Sequence, residues 1–312
     1  MTEIFISILT SAILAGGVLV LAALGETLSE RVGVMNLGLE GLISMGAVIA
    51  VLTSFATDNV WLSFMAAGLV GLALGILFAF TTVVIRANQI LCGLSLTFIG
   101  LGFSASIGNS VAGRPVTAEF ELIPIPFLSE IPVLGSILFS HSLPVYLAYF
   151  FLPLVIYFLF FHTRHGLNIR SVGENPASAE SAGVSVMTIR MIYVSLGGLL
   201  TALAGAYLTL IFIPTWSEGI TGGRGWIAIA VVIFARCNPV KVVFGSILFG
   251  LVTALGFAAQ AMNWPISPTF LSSLPYLLTL LVLLTPTFNA NEKFLKNMPA
   301  AIGRPYYREE RN

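Results

Sequence analysis

Glu40 is the only ionisable residue between Arg31 and Asp58, and it stands in the turn Asn36-Leu37-Gly38-Leu39-Glu40-Gly41. Arg224 is the only basic residue between Arg190 and Arg236, and it stands in a second glycine-rich turn, Thr221-Gly222-Gly223-Arg224-Gly225-Trp226. Both turns interrupt apolar stretches. A charge near the centre of a bilayer costs about 2.5–3.5 kcal/mol on insertion scales, so each must face a polar cavity or a partner. Glycine releases the backbone from the helix, and irregular backbone at membrane depth is tolerated only beside a cavity or inside protein. The chemistry on offer is recognition and passage of a polar solute, a use that transporters commonly make of broken helices. The candidate path residues are Asn36, Gly38, Glu40 and Gly41 from the first turn and Gly222, Arg224 and Trp226 from the second, with Glu40 and Arg224 either paired or facing one cavity. The plainer alternative is a charge network that only fixes helix packing.

Other chemistries lack their residues. The single aspartate is Asp58 and the histidines are His141, His162 and His165, so neither paired aspartates nor a His-Glu-x-x-His zinc helix occurs. No Gly-x-x-x-x-Gly-Lys-Ser/Thr run exists, so the chain holds no P-loop. Neither catalytic nor metal-ligating residues are assigned. His162 and His165 flank Arg164 and read as solvated interface residues. Cys92 and Cys237 form no disulfide framework and read as packing residues.

The elements that position the two turns are apolar. Hydrophobic residues make up 57% of the 312 residues and charged residues 9%, against about 25% charged in soluble domains, and the mean hydropathy is +0.97. No soluble fold hides that much apolar surface. A hydrocarbon core of about 30 Å needs roughly 20 residues of helix. Runs of that kind predict nine spans, within a range of eight to ten: Ile4 to Leu24, Leu37 to Thr57, Trp61 to Ile85, Ile90 to Ala112, Ser142 to Phe161, Met191 to Ile213, the short Gly225 to Ala235, Val242 to Met262 and Thr269 to Thr285. The stretch Gly25 to Glu40 is expected as a turn at an interface or dipping into the bilayer. The first segment lacks a basic leader and a small-residue cleavage site, and reads as a retained helix.

The fold class is therefore an all-α polytopic membrane protein with some helices broken at Gly-rich turns: one transmembrane domain, residues 1–290, and a tail, 291–312. Arg86, Arg164, Arg170, Arg190, Arg236, Lys241 and the tail's Lys293, Lys296, Arg304, Arg308 and Arg311 flank apolar runs, which puts those segments and the C-terminus in the cytoplasm. The acidic, Pro-rich outer loop 113–141, with Glu119, Glu121 and Glu130, then faces outside. Trp61, Trp216, Trp226 and Trp264 fall at outer ends, where interfacial aromatics anchor helices. Gly71 with Gly75, and Ala12 with Gly16, are small residues spaced to let helices approach closely. Laying Gly38–Ala50 on Gly222–Phe234 pairs Gly38 with Gly222, Gly41 with Gly225 and Glu40 with Arg224, a pattern that fits two pseudo-repeated halves.

The longest inner loop, 162–190, carries its own helix punctuation. Asn175 suits the N-cap, Pro176 the first helical position and Gly183 the left-handed residue after the end, predicting about two turns over Pro176 to Ala182. Isolated helices shorter than about 12–15 residues are marginal in water. This one must lean on its flanking spans or on a partner.

Three segments together resemble a known family. VGENPASAESAGVSVMTIRMIYVSLGGLLTALAGAY is similar to the coupling loop and following helix of the permease subunits of ABC importers, in the superfamily that handles branched-chain amino acids, ribose-type sugars and nucleosides. GETLSERVGVMNLGLEGLISMGA and GGRGWIAIAVVIFARCNP resemble its nucleoside and simple-sugar branch more than the others. The resemblance implies a permease subunit, not an enzyme, in the inner or plasma membrane of a prokaryote. It would pair with a second permease chain as homodimer or heterodimer. Separate cytoplasmic ATP-binding subunits would dock on the loop through Arg170, Gly173, Glu174, Asn175, Pro176, Ala179 and Gly183. An external substrate-binding lipoprotein would deliver a nucleoside or simple sugar. The chain itself would hold no cofactor, bind no nucleic acid polymer and contact the lipid bilayer. Where such permeases often carry asparagine, this chain has Thr97 in GLSLTFIGLG, a further candidate path residue with a different donor set. The rival class is a self-contained proton-coupled carrier or channel using Glu40, which needs no docking helix.

Overall fold

The computed structural model describes residues 2–288 and 298–307. Of the tail's basic residues, Lys293, Lys296, Arg308 and Arg311 lie outside the described residues. The chain is built from α1 (Thr2–Arg31), α2 (Leu39–Thr57), α3 (Val60–Ala79), α4 (Gln89–Gly108), α5 (Leu134–Leu138), α6 (Leu143–Tyr146), α7 (Leu152–His162), α8 (Arg164–Glu174), α9 (Pro176–Ser181), α10 (Val186–Tyr207), α11 (Arg224–Ala235), α12 (Pro239–Ala261) and α13 (Pro268–Phe288). A small antiparallel pair, β1 (Leu122–Pro124) and β2 (Ser140–Ser142), sets Ile123 opposite His141. Wider i→i+5 turns extend α3 at Phe80–Val84 and α10 at Leu208–Phe212, and join α6 to α7 at Leu147–Phe151.

Among the described residues, seven helical stretches are long and apolar enough to cross a membrane: Glu3–Arg31, Leu39–Thr57, Val60–Val84, Gln89–Val111, Leu143–His162, Val186–Phe212 and Pro239–Ala261. Two further apolar stretches, Arg224–Ala235 and Pro268–Leu281, are shorter than these seven. The protein is thus mostly helical and polytopic.

Local chemistry sets the helix starts. Asn59, Asn88, Thr163, Asn175, Ser185 and Asn238 each accept a backbone N–H of the first turn that follows, satisfying donors that a helix leaves unpaired. Three boundaries differ from expectation. First, α1 continues through Glu26 to Arg31, so the first turn is only Val32 to Gly38; charged residues ended the apolar run without ending the helix. Second, the 162–190 loop is nearly all helix, with α8 ahead of α9 and α10 beginning at Val186 rather than Met191. Third, α9 ends at Ser181, with Ala182 as its C-cap and Gly183 at φ +84°.

The core gathers around α1 and α10. Gly71 and Gly75 of α3 lie against Gly198, flanked by Ala202 and Ser195, and Gly250 of α12 lies against Ala12 and Gly16 of α1, so added methyls would meet backbone at each crossing. Packing of this kind, rather than water exclusion, holds helices together in lipid. Met65, Leu69, Phe98, Leu154 and Phe158 point outward and exposed, the surface a lipid-facing bundle presents. Trp61 and Trp264 are exposed as anchors should be, but Trp216 is buried against Gly108, packed rather than interfacial.

Candidate functional site

The two glycine-rich turns meet inside the bundle. Glu40, in the first turn of α2, aims its carboxylate at the start of α11: Oε1 accepts from the Gly223 N–H at 2.7 Å and Oε2 from the Gly225 N–H at 2.6 Å. The α11 N-cap residue is Gly223, which has no side chain to offer, so a carboxylate from another helix takes the capping role. Gly222 at φ +50° and Gly223 at φ +74° occupy the left-handed region that glycine tolerates. A Cβ at Gly225 would collide with the backbone of Glu40, so glycine there sets the closeness of approach.

Arg224 does not pair with Glu40. Its Nη1 donates to the Ile220 carbonyl at 2.9 Å and the Thr221 carbonyl at 3.0 Å, and its guanidinium lies 5.7 Å from the Phe212 ring centroid. Of the two alternatives the sequence left open, the direct pair gives way to two charge-to-backbone clamps, one on each side of the same glycine turn. Tyr276 of α13 adds a third by donating to the Gly222 carbonyl. Arg224, with Gly222, Thr253, Gln260, Ser272 and Tyr276, lines a cavity of about 220 Å³. Trp226 is exposed beside it.

The first turn is fastened along its whole length. Asn36 donates its N–H to Glu26 Oε1 at 2.8 Å, and its own Oδ1 accepts from Gly38 N–H at 2.8 Å. Thr97 donates its hydroxyl to the Leu37 carbonyl at 2.9 Å. Gly41 and Gly100 face each other where α2 crosses α4, and added methyls would meet backbone on both sides. Asn36, Gly38, Glu40, Gly41 and Thr97 are all buried within the chain, while Gly222, Arg224 and Trp226 keep access. The structure therefore joins the two clusters but gives them unequal positions.

Sequence reasoning passed over the acidic pair of α1. Glu26 and Glu30 are both fully buried, one holding Asn36 and the other accepting from the Cys237 thiol at 3.0 Å, while Arg31 Nε donates to the Cys237 carbonyl at 3.0 Å. The signal was present: two glutamates four apart fall on one helix face, within a helix otherwise apolar. Cys237 is thus part of a polar knot rather than inert packing, and Cys92 is half-buried.

At the same end of the bundle sit the loop residues. Asn175 Oδ1 accepts the Ser178 N–H at 3.0 Å, Pro176 opens α9 and Ala179 is buried on its inner side. Glu174, Asn175 and Gly183 are exposed. Arg170 lies over the Phe161 ring at 5.5 Å, and Gly173 packs against the Arg31 carbonyl. Between α8–α9 and the tail, Glu174, Asn175, Pro176, Arg304, Tyr306 and Tyr307 line a groove of about 330 Å³. Among the described residues, no group of three or more His, Cys, Asp or Glu side chains forms a metal site.

A broken-helix bundle with a polar turn inside and a capped helix at one end defines a membrane transport subunit. Comparison with known proteins sharpens this. A family model described as the permease component of the branched-chain amino acid transport system matches residues 8–284, and the chain belongs to that family. It is 34% identical over 324 residues to a putative glucose ABC transporter permease protein of Haloferax volcanii, covering 97% of this chain and 98% of the relative. It is 34% identical over 277 residues to a nucleoside ABC transporter permease protein of Lactococcus lactis, covering 85% and 87%. It is 31% identical over 305 residues to a guanosine ABC transporter permease protein of Bacillus subtilis, covering 94% of each. No solved structure matches the chain. The protein is a permease subunit of an ABC transporter, a multi-pass membrane protein whose part in transport is not catalytic.

Proposed function

We propose that this chain forms half of the translocation path of an ATP-driven importer for nucleosides or simple sugars in a prokaryotic plasma membrane. The observation that carries the reading is α9: an Asn-capped, Pro-initiated helix, exposed on its outer face and joined directly to the long α10. Cytoplasmic ATP-binding subunits grip α9, a second permease chain completes the path, and an external lipoprotein delivers the cargo. Relatives that carry guanosine, nucleosides and glucose in their names support this cargo class. In this reading the chain crosses the membrane nine times with its C-terminus inside, and Arg224 faces the path from the cavity that Gly222 also lines. Asn36, Gly38, Glu40, Gly41 and Thr97 form the wall behind it, and the matching starts of α2 and α11 fit two pseudo-repeated halves.

A proton-coupled carrier finds less support. Both oxygens of Glu40 already accept a backbone N–H, so the carboxylate is engaged in capping α11. The test is copurification of the ATP-binding subunits with variants Glu174→Lys and Asn175→Arg, both at exposed positions. Loss of the ATPase with normal membrane insertion is expected; unchanged assembly would overturn the docking assignment.

A further inference from the structure

Arg190 is a buried cation that the path and the docking helix leave unexplained. It lies near the start of α10, shortly after the Gly183–Ser185 link from α9, and is 2% exposed. Its Nε donates to the Val32 carbonyl at 2.9 Å and its Nη1 to the Arg304 carbonyl at 3.5 Å. Nη2 is buried with no hydrogen-bond partner among the described residues, beside Gly33. Among the described residues no carboxylate shares these bonds. The hydrogen bonds that hold this guanidinium fork out of water go to two main-chain oxygens, one after α1 and one in the tail.

Those segments are the two ends of a ring. On the upstream side of α9, Gly173 packs on the Arg31 carbonyl and its own carbonyl accepts the Ala301 N–H at 3.0 Å. Ala301 in turn packs against Gly33, whose φ of +83° makes it the pivot after α1. On the downstream side, Arg190 reaches Val32 and the tail. The docking helix is therefore tied at both of its ends to Arg31–Gly33. That short turn leads straight into Met35, Asn36 and Leu37, the backbone that Gln89, Glu26 and Thr97 hold.

We propose that Arg190 is the positioning residue that carries movement of α9 to the Val32–Gly38 turn, with tail residues 299–304 as the strap that keeps the ring closed. This rests on the docking reading above. A two-state element needs alternative bonds of similar worth. The spare Nη2 donor supplies one: as α9 shifts, the fork exchanges one carbonyl for another without releasing its charge into an unpaired site. Lysine, with a point charge on a flexible stem, holds one carbonyl but cannot reproduce the planar fork.

The test uses the assembled transporter in detergent micelles, carrying Met35→Cys as reporter and Cys92→Ala to remove the half-buried native thiol. Maleimide labelling of the reporter is timed with and without ATP and vanadate, and ATPase copurification is measured in parallel. Nucleotide is expected to change the labelling rate at least fivefold in the parent. Arg190→Gln should retain the ATPase and reduce the change below twofold, while Arg190→Lys keeps an intermediate response. An unchanged response in Arg190→Gln, or no response in the parent, would overturn the proposal. Should Arg190→Gln fail to assemble, Ala301→Pro decides: it removes the N–H given to Gly173 and stiffens the strap backbone, and a response within 20% of the parent would overturn the relay. Failure of the docking reading shows separately, as ATPase retained by the α9 variants.

Discussion

The inner turn around Glu40 and the end surface around α9 solve opposite problems with the same device, a side chain accepting backbone N–H groups. At α9 the cap is local, Asn175 to Ser178, and its outer face remains free. At the inner turn the cap is remote: Glu40 on α2 serves α11, and Glu26 on α1 serves Asn36. The remote caps lock three helices together and leave their own residues buried. The local cap stabilises a helix that stays available. A path wall needs the first arrangement and a handle the second.

Substitutions that break the remote caps should cost most. Glu40→Ala leaves the Gly223 and Gly225 N–H groups without their acceptor, a loss of about 2–6 kcal/mol at 1–3 kcal/mol for each buried group, read as a drop in melting temperature in detergent. Gly225→Ala forces a methyl into the Glu40 backbone and should cost about 2–3 kcal/mol by overpacking, with uptake lost. Thr97→Val removes one bond to the Leu37 carbonyl, worth about 1 kcal/mol. Thr97→Ser should be near neutral, which would mark the hydroxyl as a fastening rather than a cargo contact.

The local cap should be cheaper to lose. Asn175→Ala is expected to cost about 0.5–1 kcal/mol, leaving the melting temperature within a few degrees while weakening ATPase copurification. If it destabilised the bundle as much as Glu40→Ala, the contrast between the two regions would fail. The smallest effect concerns the loop at the other end. His141 Nε2 lies 2.8 Å from the Ile137 carbonyl, and burial lowers the imidazole pKa below its ordinary value. The unfolded loop then binds the proton more readily, so loop stability is full above the ordinary imidazole pKa and declines as pH falls through it. Amide exchange in the β1–β2 pair should accelerate at acid pH, and His141→Gln should flatten that dependence.

What was legible in the chain followed the range of the interaction. Asn175, Pro176 and Gly183 announce α9 because cap, first turn and stop lie within a few residues. The glycine turns were legible too, since a charge beside glycines inside an apolar run has few other meanings. The hydrogen-bond partner of Glu40 was not: a backbone N–H more than a hundred residues away carries no side-chain signature, so the sequence could only leave a pair with Arg224 and a shared cavity as alternatives. Glu26 and Glu30 were read as the end of an apolar run, although buried carboxylates with donors extend a helix as well as leucines do. Trp216 was misplaced at an interface because its position along the chain says nothing of the glycine, Gly108, that makes room for its ring.

The central claim is that this permease moves cargo only when a separate motor grips α9. Its most direct test is uptake of labelled guanosine and glucose, in the presence of the binding lipoprotein, into proteoliposomes holding this chain and the proposed second permease chain, with and without the ATP-binding subunits and under an imposed proton gradient. The account predicts ATP-dependent uptake of at least one probe with the full set and none from the permease chains alone. Robust gradient-driven flux without the ATPase would contradict it.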